Sequence, residues 1–186
     1  MAYEEIERYG VKLCRLSRSK IEMIRQWRND PKISQYMIYR DYITIEQQEK
    51  WFDRINNEKN YYFIMSYKGE DVGLINIKDI DDNFIHGEGG VFVYNDKFLN
   101  TDFSYRAHLC LFDFAFEILK LKYITSEILG TNKRAIRFTE FLGFKLTGNF
   151  KQGNLYILTK EDYFANKNRE RFIIRENKKQ KNYDKH

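Results

Sequence analysis

Tyr123-Ile-Thr-Ser-Glu-Ile-Leu129, closely followed by Asn132-Lys-Arg-Ala-Ile-Arg-Phe-Thr-Glu-Phe-Leu-Gly-Phe144, is the stretch that decides the fold. The first half is a β-branched and apolar run of strand length. The second half begins with an asparagine, which is favoured at helix N-caps, and reaches a glycine, which is favoured just after a helix ends. We therefore expect a buried strand, a short helix that stops at Gly143, and a new extended segment from Phe144.

The segments around this unit predict a mixed α/β (α+β) protein. Thr44 opens a helix with a capping-box pattern, and Gly89-Gly90 inside a long strand suggests a bulge or a close backbone approach. We expect six to seven mostly antiparallel strands with helices on both faces, and a crossover helix that joins the fourth strand to the fifth. The expected strands cover residues 11–16, 61–67, 72–77, 84–94, 123–129 and 150–158; the expected helices begin near residues 19, 44, 104, 132 and 161.

The length of 186 residues favours one domain, which we place at residues 1–165. The net charge is +5, and residues 166–186 alone contain eight Lys or Arg against three Asp or Glu. This segment therefore carries the whole excess, and we predict a basic, partly disordered and solvated tail. Since the rest of the chain is close to neutral, the charge pattern disfavours a nucleic-acid partner.

Cysteine use and hydropathy indicate a cytoplasmic protein with no membrane partner. The two cysteines, Cys14 and Cys110, lie in apolar surroundings and are expected to be reduced thiols. The first residues carry charges rather than the apolar run of a signal peptide. The most apolar run, residues 109–116, is interrupted by Asp113 and is too short to span a bilayer.

Three segments, in this order, resemble the GNAT superfamily of N-acetyltransferases over roughly residues 10–160. Asn132-Lys-Arg-Ala to Gly143-Phe144 is similar to the family's helix that follows its fifth strand, and Glu88-Gly-Gly-Val-Phe-Val-Tyr94 to its fourth strand. Trp27-Arg-Asn-Asp-Pro-Lys-Ile-Ser-Gln-Tyr-Met37 resembles bacterial acetyltransferases that act on nucleotide-linked amino sugars, notably the enzyme of the pseudaminic acid pathway.

The resemblance implies that acetyl-CoA is the co-substrate and lies between parallel, splayed fourth and fifth strands, with no metal. Backbone groups of Phe92, Val93 and Tyr94 would then bind the pantetheine and the thioester carbonyl. Glu88 matches the family's acidic position for the base that deprotonates the acceptor amine, unless it is only a solvent-facing or paired strand carboxylate. His86 lies two residues earlier on the same face of the strand and is the other candidate, unless it is only a surface histidine.

The resemblance also places the CoA phosphates at residues 99–109. Amides of Phe103, Ser104 and Tyr105 and the charge of Arg106 would bind them, although Phe103 and Tyr105 occupy positions where the family has glycine. The pattern thus looks like a degraded pyrophosphate loop, with Asp102 adding a negative charge. Two further expected cofactor-binding residues are Asn132, which otherwise serves only as a helix cap, and Arg137.

Thr139 occupies the position where the resemblance implies a tyrosine that protonates the leaving thiolate; Tyr105 and Tyr156 are possible substitutes. The acceptor side would comprise Trp27, Arg28, Tyr36 and Tyr39, although Trp27 at helical spacing also suits a core. The predicted function is therefore transfer of acetyl to the primary amine of a small acceptor, such as a nucleotide-linked amino sugar. Protein N-termini, polyamines and a GNAT-fold binding protein without catalysis stay open as alternatives, and so does a homodimer.

Overall fold

The computed structural model describes residues 3–183, which form one eight-stranded sheet in the order β1-β2-β3-β4-β5-β6-β8-β7. Neighbouring strands are antiparallel except for β5 and β6, which run parallel. The predicted fold class is thus confirmed, with one strand more than expected. The strands are β1 (Glu5–Arg8), β2 (Val11–Arg15), β3 (Tyr61–Tyr67), β4 (Glu70–Lys78), β5 (His86–Val93), β6 (Tyr123–Leu129), β7 (Lys145–Phe150) and β8 (Gly153–Thr159).

The helices cover both faces of the sheet, as expected from the sequence. Alternation along β3 shows this directly, because Phe63 joins the core cluster under α4 whereas Ile64 joins the cluster under α1 and α3. The helices are α1 (Ile21–Asn29), α2 (Pro31–Ser34), α3 (Ile45–Ile55), α4 (Phe103–Asp113, continued by a π-helical turn Phe114–Ile118), α5 (Lys133–Phe141), α6 (Lys160–Phe164) and α7 (Lys167–Tyr183). Within residues 3–183, no helix is long and apolar enough to cross a membrane.

The unit that opens the sequence argument folds as predicted. The Asn132 side chain caps α5 by accepting from the Ala135 amide at 3.1 Å. At the other end Gly143 has φ +100°, its amide donates to Glu140 O, and the Phe144 amide donates to Thr139 O. These two bonds make a Schellman motif, so the glycine ends the helix and turns the chain into β7.

The strand that the sequence did not predict is β1. It pairs with β2 through a tight turn at Tyr9 and Gly10, both of which have positive φ. Its four residues are mostly charged and exposed, as suits a short strand at the edge of a sheet. Such a strand has too few apolar residues to show an alternating pattern.

The glycine pair in β5 serves a close approach and not a bulge. The register between β4 and β5 runs without a shift from Gly73 opposite Val93 to Lys78 opposite Glu88. A Cβ at Gly89 would lie 3.1 Å from Ile124 Cγ2, and one at Gly90 would lie 3.0 Å from Asn76 Oδ1. The glycines therefore leave room for neighbouring side chains.

The basic C-terminal segment is more ordered than the sequence indicated. Residues 167–183 form α7, and Phe172 is 5% exposed within the main core. Arg169 adds a second attachment, since its guanidinium lies 3.2 Å from Asp113, a carboxylate that is 2% exposed. The prediction of a solvated tail is thus wrong for the part that carries these residues, because Phe172 packs on Tyr105 of α4 and Arg169 pairs with Asp113.

Asp113 ties three distant parts of the chain to α4. Its carboxylate accepts hydrogen bonds from the hydroxyls of Tyr9 and Tyr163, both at 2.6 Å, and pairs with Arg8 and Arg169. A buried carboxylate with this many donors is compensated for its loss of water. The β1–β2 turn, α6 and α7 are therefore fixed around one point.

Truncation of Phe172 should show whether α7 belongs to the folded domain. Phe172→Ala is expected to lower the free energy of unfolding by about 3 kcal/mol, because a buried aromatic ring leaves a cavity. The matched control is Ile174→Ala, two residues along the same helix at a side chain that is 47% exposed, and it should change stability by less than about 1 kcal/mol. Urea unfolding measures both; equal effects would contradict the packing of α7.

Candidate active site

A cavity of about 1100 Å³ runs along the sheet from helices α1–α3 to helix α5. It passes between β5 and β6, whose pairing covers only the three positions from His86 opposite Tyr123 to Glu88 opposite Thr125. Beyond that point residues of both strands, among them Val93 and Glu127, line the cavity. The splay predicted for this strand pair is therefore present.

The opened edge of β5 offers backbone groups to the cavity. The Tyr94 amide donates to Val72 O at 2.9 Å, so this residue is hydrogen-bonded to β4. Because residues of an antiparallel pair alternate, the N–H and C=O of Val91 and Val93 point the other way, toward β6. The expectation of free backbone groups thus holds for Val93 and is corrected for Phe92 and Tyr94.

The side chains of Phe92 and Tyr94 pack on the acceptor side instead. Phe92 lines the cavity and contacts Trp27 edge-on. Tyr94 stacks on Trp27 with ring centroids 4.9 Å apart and donates to Asp30 at 3.3 Å. Trp27 is 8% exposed within the core under α1, which corrects its assignment as a substrate contact.

Of the two candidate bases, only Glu88 lines the cavity. Its carboxylate lies 2.9 Å from Lys78 Nζ on the neighbouring strand. Burial lowers the pKa of Lys78, but hydrogen bonds to Glu88 and Asp79 outweigh burial and raise it, so Lys78 stays charged. His86 lies two residues before Glu88 on β5 and is not part of the cavity lining. Its ring stacks on that of Tyr123, with the ring centroids 5.0 Å apart.

At the beginning of α4, only one of the three residues whose amides were predicted to bind phosphate lines the cavity. Ser104 lines the cavity, whereas Phe103 and Tyr105 are buried in the main core. Phe103 packs on Tyr67, and Tyr105 on Phe172. Since both aromatic side chains point away from the cavity, their replacement of glycine does not fill it.

Arg106 is not positioned to meet an anion in the cavity. Its guanidinium donates to Asp102 at 2.8 Å and to Glu176 at 2.9 Å, on the side of α4 that faces α7. Its amide donates to Asp102 O, so this group is already part of the helix. The ion pair with the Arg106 guanidinium also neutralises the carboxylate of Asp102, which the sequence indicated as a charge that repels phosphate.

On α5, the cavity-lining face carries Arg134 and not Arg137. Arg134, Ala135, Phe138 and Thr139 line the cavity, whereas Arg137 is exposed and lies outside this lining. The assignment of Arg137 to the cofactor is corrected accordingly. Asn132 both caps the helix and lines the cavity, so its two readings are compatible.

Thr139 is buried in the cavity wall where the resemblance implies a tyrosine. Neither proposed substitute is there: Tyr105 lies in the core, and Tyr156 is 1% exposed with its hydroxyl 3.3 Å from Asn154. The titratable group on this side is His108, whose Nδ1 donates to Ser104 O at 2.7 Å. Burial lowers the pKa of His108 to about 4, so the imidazole is neutral at pH 7.

The acceptor side is formed by the α1–α3 region. Arg28, Tyr36 and Tyr39 line the cavity, as the sequence argument predicted, and the two tyrosines are exposed. Burial lowers the pKa of Arg28, and its Nη2 donates weakly to Tyr39 O at 3.4 Å. An aromatic loop and a partly buried guanidinium therefore flank the same space as Glu88.

Several cavity residues were missed at the sequence level, among them Asn76, Lys78, His108 and Arg134. Asn76 is polar in the otherwise apolar run Val72–Ile77 of β4, and this break is a signal that sequence could have supplied. The other three residues lie on β4, α4 and α5, which were predicted correctly. Whether each side chain lines the cavity depends on which face of its strand or helix is turned toward it.

Residues 11–145 match the family model described as acetyltransferase (GNAT) domain. Because the match covers most of the chain, the protein belongs to the GNAT acetyltransferase family and is an acyltransferase. No curated protein sequence matches significantly.

Solved structures share the fold at low identity. Spermidine N-acetyltransferase from Vibrio cholerae in complex with CoA and spermine has a TM-score of 0.74 and 17% identity, over 84% of this chain and 99% of that one. FdhC, a nucleotide-linked sugar GNAT, has a TM-score of 0.74 and 20% identity, over 89% and 95%. The aminoglycoside acetyltransferase AAC(6')-Ib in complex with coenzyme A has a TM-score of 0.71 and 18% identity, over 83% and 98%.

The low pKa of His108 predicts a pH-dependent stability. The unfolded chain takes up a proton near pH 6.5 and the folded protein only near pH 4, so stability falls as pH decreases between these values. From pH 7.5 to pH 5 the loss from this residue should be about 2 kcal/mol. Urea unfolding at both values should show a smaller loss in His108→Gln, which does not titrate; equal losses would contradict the assignment.

Proposed function

We propose that the protein is an acetyl-CoA-dependent N-acetyltransferase that acetylates the primary amine of a small anionic acceptor, in particular a nucleotide-linked amino sugar. The observation that carries the proposal is the cavity that crosses the β5–β6 gap with Glu88 in its wall. It connects a backbone edge suited to the donor with a polar, aromatic side suited to the acceptor. The cytoplasm is the proposed location.

The residues at the gap fit coenzyme A. The backbone N–H and C=O groups of Val91 and Val93 point toward the space between the strands. There they can hydrogen-bond the amides of an extended pantetheine chain. Ser104 lies in the first turn of α4, where helix amides lack partners within the helix and favour an anion. Arg134 and Asn132 line the same end of the cavity. When bound, acetyl-CoA supplies an activated acetyl group and a thiolate leaving group.

Glu88 is proposed as the proton acceptor for the acceptor ammonium, directly or through water. Its carboxylate is held at the cavity wall by the ion pair with Lys78 Nζ at 2.9 Å. The Val93 amide is proposed to stabilise negative charge on the acetyl oxygen. Thr139 supplies no acid; a thiol with an ordinary pKa of about 8.5 is a tolerable leaving group without one.

The charges on the acceptor side favour an anionic acceptor over a polyamine. Among the described cavity-lining residues of α1–α3, β4 and β5, the only carboxylate is Glu88. A polycation would meet net repulsion there, whereas a phosphate-bearing sugar would be attracted. The cations of the same elements are Arg28, Lys32, Lys50, Arg54 and Lys78.

Thiol release from acetyl-CoA tests the proposal directly. We expect turnover with UDP-glucosamine, and at least tenfold lower kcat/KM with spermine or with a C-terminally amidated peptide that has a free N-terminus and no acidic residue, because both lack a matching anion. Calorimetric titration with CoA should show binding. Binding without turnover on any amine would support the alternative of a GNAT-fold binding protein, and no binding at millimolar CoA would rule out the donor assignment.

Removal of the carboxylate of Glu88 should separate the two candidate bases. Glu88→Gln is expected to lower kcat by roughly 10²- to 10³-fold at neutral pH, with CoA affinity unchanged, since loss of a general base has this size. His86→Ala is the matched control two residues away and should retain near-wild-type kcat. An unaltered rate in Glu88→Gln would exclude it as the base.

A further inference from the structure

Two buried hydrogen-bond donors in the cavity wall lack partners within residues 3–183. They are Nε of Arg28 and Nδ2 of Asn76, and both residues line the cavity. Asn76 is 7% exposed, so its amide has little access to bulk water. A buried donor without an acceptor costs about 1–3 kcal/mol, and more when it is charged. A bound molecule with oxygen acceptors at this place would remove that cost.

The two donors and Tyr62 belong to residues that line the same cavity. Asn76 on β4 is directly opposite Tyr62 on β3, so their side chains share one face of the sheet. Tyr62 also lies close enough to Arg28 on α1 to interact with its charge. Burial raises the pKa of Tyr62 to about 12, so its phenol is neutral and does not neutralise Arg28. The three residues form one polar group under α1, which we call the donor cluster.

The donor cluster is next to the proposed base. Asn76 precedes Lys78 by two residues on β4, and Lys78 is directly opposite Glu88 on β5. Two residues along a strand span about 6.7 Å, and neighbouring strands lie about 4.8 Å apart. When the amine of an acceptor reaches Glu88, acceptor atoms about one sugar ring away from that amine therefore lie beside Asn76.

Gly90 keeps the amide of Asn76 in this position. It lies opposite Asn76 on β5, and a Cβ there would be 3.0 Å from Oδ1 and 3.3 Å from Nδ2. This is closer than ordinary van der Waals contact, so any side chain at position 90 would push the amide away. The glycine and the asparagine thus act together on the same space.

Resting on the proposed acetyl transfer, we infer that Asn76 and Arg28 determine acceptor specificity by holding an anionic oxygen group, a phosphate or a carboxylate, that the acceptor carries beside its amine. Arg28 supplies the charge, and Asn76 supplies a neutral donor that fixes the orientation. A site built of donors rejects an acceptor that brings only donors, because the buried groups then stay unpaired. Polyamines are of that kind.

Binding to the CoA-saturated protein tests this inference without turnover. Calorimetry with UDP reports a phosphate source, and calorimetry with succinate reports a carboxylate source. Asn76→Ala and Arg28→Met should each weaken the probe that binds by about 10- to 100-fold. Arg40→Met, which removes an exposed cation between α2 and α3 that is not part of the cavity lining, is the matched control and should weaken it less than about threefold.

Kinetics then separate this inference from the proposed function. With UDP-glucosamine, Asn76→Ala should raise the acceptor KM at least tenfold and leave the acetyl-CoA KM unchanged, and it should lower the preference over glucosamine. Gly90→Ala, which retains Asn76 but displaces its amide, should shift the acceptor KM in the same direction. Wild-type turnover with unchanged acceptor preference in both variants overturns the inference and leaves the proposed function intact. Failure of both UDP and succinate to bind also overturns the inference. If the two variants weaken probe binding but the wild-type protein shows no turnover, the inference is supported and the proposed function fails.

Discussion

The pairing of β5 with β6 stops after Glu88 opposite Thr125, and the rest of the site depends on this interruption. A parallel pair that continued would use the backbone groups of Val91 and Val93 within the sheet and close the space between the strands. Because it stops, those groups face a cavity, and the strands that diverge from it are covered on one face by α4 and on the other by α1 and α3. The proposed binding of acetyl-CoA depends on that open edge.

Helix α4 connects the open edge to the remainder of the fold. Its first turn brings Ser104 to the cavity, its middle places His108 in the wall, and its far end carries Asp113. Asp113 fixes the β1–β2 turn and α7 through Arg8 and Arg169. The charged residues that the sequence places near the phosphate loop, Asp102 and Arg106, belong to this structural side of α4. Their charges are therefore paired with each other and with Glu176 of α7.

The polar groups that line the cavity near α1–α3 are the feature of this chain that bears on its acceptor. Structures of similar fold include enzymes named for polyamines, aminoglycosides and nucleotide-linked sugars, so the fold by itself does not select an acceptor. Here Arg28 and Asn76 line the cavity and each has a buried donor without a partner among the described residues, and Glu88 lines the same cavity. An acceptor must match those groups whatever its scaffold.

The sequence by itself determined the order of elements, the bounds of β6, the cap at Asn132 and the end of α5 at Gly143, because these depend on local propensity and capping. It also identified the family, and it singled out Glu88, Ser104, Arg28, Tyr36 and Tyr39, which the structure places in the wall of one cavity. Only the tertiary structure decided that Phe103, Tyr105, Arg106, Arg137 and His86 point elsewhere, and that Asn76, His108 and Arg134 take part. The physical reason is that the direction of a side chain on a helix or strand follows from how that element packs on its neighbours, and this packing joins residues far apart in sequence.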